Sequence, residues 1–96
     1  MPISRKIPMK HLSGEELQTL LHEGTLKVSI GSQYMHYKEK PYRVTGLCVI
    51  EATDKVGVLY EAAYSGLEGI TFLRPIEDFL AEVEWQGKKK KRFEIM

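Results

Sequence analysis

The chain has a single cysteine, Cys48, among its 96 residues. No disulfide can close within it, and a reduced, cytoplasmic setting is expected. Long apolar runs are missing too. None approaches the roughly 20 residues that span a bilayer, so no membrane partner is expected. Met1 to Lys10 carry two prolines and three basic residues but no apolar segment, and no secretory signal is expected there. Neither sign of charge dominates. The 14 basic and 13 acidic residues leave a net charge of +1, so any attraction for an anion must come from a local patch.

Catalytic and metal signatures are sparse as well. His11, His22 and His36 do not fall at a metal-ligand spacing, and one cysteine cannot build a cysteine-rich zinc site. There is no G-x-S-x-G elbow and no phosphate-cradling glycine loop. We therefore expect no metal, no cofactor and no catalytic residue set. Cys48 lies in an apolar stretch and is expected to be an inert core thiol, since a reactive one needs exposure and positive neighbours.

What is present reads as one domain over residues 1–96. An extended arm is expected over 1–12, because Pro2 and Pro8 disfavour helix. A helix is expected over 13–23. Ser13 and Glu16 have capping-box spacing, Leu17, Leu20 and Leu21 share a face, and Gly24 can end it. That face should pack on the chain's own sheet, a second copy of the chain being the alternative. A β-rich body is expected over 26–96.

Within that body, Leu26, Val28 and Ile30 alternate as in a short strand. Tyr34 to Lys38 reads as a second. Tyr42 to Ile50 reads as a central strand buried on both sides, with Gly46 marking a bulge or a close backbone approach. Val56 to Tyr64 follows after a Thr53-Asp54-Lys55 turn, and Ile70 to Leu73 after a glycine-containing loop. Pro75 can open a short helix over Ile76 to Leu80. A terminal hairpin is expected with Val83 opposite Phe93 and Glu84 opposite Arg92, joined by a loop over Gln86 to Lys90, in preference to a two-residue Gln86-Gly87 turn that would set Val83 opposite Lys90. The fold class is mainly β, as a small barrel or a strongly bent antiparallel sheet. Closing or bending the sheet would dispose of its edges.

Several motifs occur in a characteristic order. They are Gly31-x-x-Tyr34-x-His36-Tyr37-Lys38, Tyr42-x-Val44-x-Gly46, Val58-x-Tyr60-x-Ala62-x-Tyr64, Arg74-Pro75-x-x-x-Phe79, Val83-x-x-x-Gly87 and Arg92-Phe93. In this the chain resembles a bacterial family known as domain of unknown function 1653. The resemblance implies a small β-rich domain, with an SH3-like barrel as its expected form, and carries no established activity. Glu39 stands where the family usually has glycine, and Glu61 where arginine is frequent. The loop before Arg74 is longer, and the leading helix lies outside the shared region.

Tyr34, His36, Tyr37, Tyr60 and Arg74 are the candidate ligand groove. Tyrosines offer an apolar body with a polar tip, and a guanidinium can clamp a carboxylate or phosphate. The plainer alternative has Tyr37 in the core, Tyr34 and Lys38 on an edge, and Arg74 paired with Glu77, Asp78 or Glu82. The expected function is a non-enzymatic binding module for an anionic small molecule or acidic peptide. Nucleic-acid binding through Lys88, Lys89, Lys90, Lys91 and Arg92 is a second reading, against lysines that merely guard a hairpin edge. An enzyme with His36 as base and Arg74 holding an anionic substrate is a third.

Overall fold

The computed structural model describes residues 11–64 and 66–96. The arm expected over 1–12 therefore lies mostly outside the described residues. Helix α1 spans Gly14–Lys27. Its capping box forms as the sequence predicts: Glu16 N–H donates to Ser13 Oγ at 3.1 Å, and Ser13 N–H donates to Glu16 Oε1 at 2.8 Å. Just before it, Leu12 N–H donates to Asp54 Oδ2 at 2.7 Å, pinning the helix start to a distant turn.

Gly24 does not end the helix. It is buried inside it, where a Cβ would stand 2.9 Å from Leu47 Cδ1. The glycine is there for close approach to the sheet, and the helix runs one more turn because nothing local stops it. That extra turn takes up Leu26 and Lys27, so the strand expected over Leu26 to Ile30 does not form. Val28 is instead a buried anchor next to the helix end. Leu17, Leu20 and Leu21 are half-buried, and α1 packs on the chain's own sheet.

Among the described residues, seven strands and one more helix follow. They are β1 (Gln33–His36), β2 (Pro41–Ile50), β3 (Lys55–Ala62), β4 (Thr71–Pro75), α2 (Ile76–Leu80), β5 (Glu82–Trp85), β6 (Lys88–Lys91) and β7 (Phe93–Ile95). Five form an antiparallel sheet in the order β4-β3-β2-β1-β7, while β5 and β6 make a separate ribbon. The fold is mainly β. This sheet is not closed, since the described pairings leave β4 and β7 as its edges.

β2 is the middle strand, as expected, and Thr45 is the extra residue of a bulge between Val44 and Gly46. Its second half is only half-buried, Cys48 included. The more deeply covered strand is β3. Val44 and Val58 are 0% exposed.

The terminal hairpin corrects the expected register. Trp85 faces Lys88, Glu84 faces Lys89, Val83 faces Lys90 and Glu82 faces Lys91. The connection is a two-residue turn, with Gln86 at φ 54° and Gly87 at φ 78°. Left-handed backbone at both positions gives the turn the twist of the ribbon it joins. Phe93 does not pair with Val83 because the chain turns a corner at Arg92. It pairs with His36 on β1 instead, where it is buried.

The core lies on one face of the sheet. Residues opposite one another in register share a face, which gathers Tyr34, His36, Tyr42, Val44, Val58, Tyr60, Phe72, Arg74 and Phe93. Phe79 of α2 drops onto that face. It stacks on Phe93 at 4.3 Å and 7°, and meets Tyr34 edge-on at 5.3 Å. Five residues are too few to hold a helix by themselves, so α2 depends on this ring.

Candidate functional site

Alternation along β1 and the pairing of β3 with β4 bring four of the five predicted groove residues to one face: Tyr34, His36, Tyr60 and Arg74. They do not play equal parts there. Tyr34 and Tyr60 are each 6% exposed and belong to the core cluster. The Tyr34 hydroxyl accepts a bond from Ser29 N–H at 2.9 Å. The ring lines a cavity of about 360 Å³ with Val28, Leu80, Phe93 and Ile95, beside the end of α1. In the alternative, Tyr34 was the edge residue and Tyr37 the core one. The structure reverses them: Tyr37 is half-buried in the turn after β1 and meets Trp85 edge-on at 5.3 Å.

His36 and Arg74 remain as half-buried polar groups with accessible chemistry. Arg74 Nε donates to the Tyr60 hydroxyl at 3.4 Å, a long bond. None of the carboxylates expected to pair with Arg74 does so, and no carboxylate bridges it among the described residues. Asp78, one of those candidates, is used differently. Its carbonyl accepts from Arg92 Nε at 3.0 Å.

The His36 ring sits against Phe93 at 5.0 Å and Tyr42 at 6.0 Å. Lys38 N–H donates to His36 Nδ1 at 3.2 Å, which leaves the neutral ring with its proton on Nε2. Burial holds the imidazole below its ordinary pKa of 6.5, and the charges of Arg74, Lys38 and Arg92 push the same way. The three charges that lower it are all cations, and such neighbours disfavour the imidazolium.

The residue that sequence reasoning missed is Tyr42. Its ring touches His36, Tyr60, Tyr64, Phe72 and Phe93, making it the hub that joins the groove residues. Its hydroxyl lies 3.0 Å from that of Tyr64. Burial, and next the bond to Tyr64, push its phenol up to about 12. The available signal was its place on the core face of the central strand, directly opposite Tyr34.

Of the basic run assigned to nucleic acid, Lys88 to Lys91 form β6 and are exposed. Arg92 is set apart from them. Its N–H donates to Ala81 O at 2.9 Å, and its carbonyl accepts from Tyr37 N–H at 3.0 Å.

Fold and site together define a small antiparallel β domain carrying a half-buried cationic corner over an aromatic floor. The model of the family described as protein of unknown function (DUF1653) matches residues 32–95, and the chain belongs to that family. The match begins after α1 and includes every residue of the cationic corner. A crystal structure of a DUF1653 protein from Bordetella bronchiseptica is similar, with a TM-score of 0.62 and 25% identity. The similarity covers 71% of this chain and 87% of that one. No curated protein matches the chain significantly. Within the matched region Glu39 adopts φ 67°, left-handed backbone that glycine takes at no steric cost.

Proposed function

We propose that the protein is a non-enzymatic binding module whose His36–Arg74 corner receives the anionic group of a small molecule. One observation carries the reading. Arg74 is half-buried without a carboxylate partner among the described residues, and the cations Lys38 and Arg92 join it around His36. A carboxylate or phosphate would satisfy the guanidinium through two parallel bonds. The aromatic floor of Tyr42, Tyr60 and Phe72 would strengthen those bonds by excluding water.

Binding is favoured over catalysis by the surroundings of His36. A histidine base is commonly oriented by a carboxylate. Here the Nδ1 atom accepts from a backbone amide, and the charges nearby are cations. We read the module as a cytoplasmic bacterial protein, and its bent sheet as an open form of an SH3-like barrel.

The test is a thermal-shift panel of inorganic phosphate, phosphate monoesters and di- and tricarboxylates. A ligand at 100 times its Kd should stabilise the fold by about 2.7 kcal/mol. That raises Tm by roughly 10 °C or more in a domain of this size. The gain should vanish in Arg74→Gln, and Arg74→Lys should recover only part of it. A panel without any stabilising anion, or stabilisation that survives Arg74→Gln, would overturn the proposal.

A further inference from the structure

The observed hairpin register sorts charge by face. Opposed residues of an antiparallel pair share a side of the ribbon. Glu84 with Lys89, and Glu82 with Lys91, therefore occupy one side as two opposite-charge pairs. Trp85 with Lys88, and Val83 with Lys90, occupy the other. The first side is neutralised. The second carries two uncompensated lysines beside the only tryptophan of the chain. In the register expected from the sequence, this separation would not exist.

The cationic side continues onto the sheet. Trp85 meets Tyr37 at 70°, and Lys38 Nζ lies 5.8 Å from the Tyr37 ring centroid. Two hollows adjoin at Trp85. One, of about 200 Å³, is lined by Tyr37, Lys38, Glu39, Trp85 and Gln86. The other, of about 370 Å³, is lined by Glu39, Trp85, Gln86, Lys88 and Lys90, with Lys89 reaching its rim from the far side of the ribbon. Glu39 is the one acidic residue on their rims.

We infer that this face binds single-stranded nucleic acid, with a base stacked on Trp85 and backbone phosphates held by Lys38, Lys88 and Lys90. Each element of the surface suits that ligand. A half-exposed indole stacks on any base, and such stacking contributes about 1–3 kcal/mol per base. The lysines present charge without a fixed fork, which suits phosphates spaced along a flexible strand. A duplex would bury its base faces and leave the indole unused. An acidic polypeptide would use the lysines but has no flat group for the hollows.

Trp85 supplies its own assay, because the intrinsic fluorescence of the chain has one tryptophan source. Titration with an oligothymidylate of about a dozen nucleotides at low salt should quench it. With about 0.7 counterions released per phosphate contacted, three contacts predict a log–log salt slope near −2. Lys88→Glu with Lys90→Glu should weaken binding by on the order of tenfold or more and cut the slope to about −0.7. Lys91→Glu, on the other side and away from both hollows, should change affinity far less, and Glu39→Gln should tighten it. Absence of quenching would overturn the inference. So would a loss from Lys91→Glu as large as that from the Lys88 and Lys90 pair, or polyglutamate quenching and competing as well as the oligonucleotide. None of these outcomes involves Arg74, so this inference and the anion corner stand or fall separately.

Discussion

Phe79 offers the sharpest test of how the fold is held. Its ring is 1% exposed and contacts Phe93, Tyr34 and Tyr60. Truncating such a ring to alanine costs about 3–5 kcal/mol from lost transfer and an unfilled cavity. Stacked pairs contribute about 0.5–1.5 kcal/mol beyond the buried area. Part of that belongs to the Phe93 stack, so the upper half of the range is expected, about 4–5 kcal/mol. A domain of 96 residues has only about 5–14 kcal/mol in total. Phe79→Ala should leave a marginal protein. Urea denaturation followed by circular dichroism is the assay. At a slope of about 2 kcal/mol/M, the midpoint should fall by about 2 M. Phe79→Leu keeps most of the volume and should cost about 1–2 kcal/mol. The ordering matters as much as the size. A loss below about 1.5 kcal/mol for alanine, or equal losses for both variants, would show that α2 is not held through this ring.

Three further outcomes are expected. His36 should titrate below 6.5 by nuclear magnetic resonance, and Arg74→Gln should raise its midpoint, because one repelling charge is gone. The folded state resists protonation, so the contribution of His36 to stability is present above about 6.5 and declines as pH falls toward its folded midpoint; denaturation at several pH values checks the sign. Tyr42 should ionise near 12 in an ultraviolet titration, moving back toward 10 in Tyr64→Phe; its raised value means that the stability it contributes is lost as pH rises between the two. At the ribbon turn, Gly87→Ala should cost about 1–2 kcal/mol and Gln86→Asn should gain a few tenths, since both positions are left-handed; chemical denaturation reads both.

Local chemistry was legible in the sequence. The Ser13–Glu16 box, the bulge at Gly46 and the Pro75 entry to α2 each depend on residues close together in the chain, and each appears where expected. The misreadings share one physical origin. Gly24 punctuates a helix in isolation, but here Leu47, from a distant strand, makes its missing side chain useful. Alternation in Val83, Trp85, Phe93 and Ile95 suggested one apolar face. The rings in fact pack on different partners, Trp85 on Tyr37 and Phe93 on Phe79. A two-residue turn at Gln86-Gly87 loses on the assumption of one apolar face, because it sets Val83 opposite Lys90, and that is the pairing the ribbon has. For the site, alternation put His36 on the same face as Tyr34, but only β3–β4 pairing brings Arg74 there. Tyr42 stands in a motif of the central strand, but its part as the hub of the site comes from rings on other strands, which spacing along one strand does not reveal.

The corner at Arg92 has a mechanical consequence. Its amide, carbonyl and guanidinium each bind a different segment: Ala81, Tyr37 and Asp78. Beyond it the ribbon shares no strand pairing with the five-stranded sheet. Arg92 thus ties the ribbon to the body, with the Trp85–Tyr37 contact as a second tie. Because no ladder joins the ribbon to the sheet, its amides should exchange with solvent hydrogen at a rate of their own, faster than those of β2 and β3.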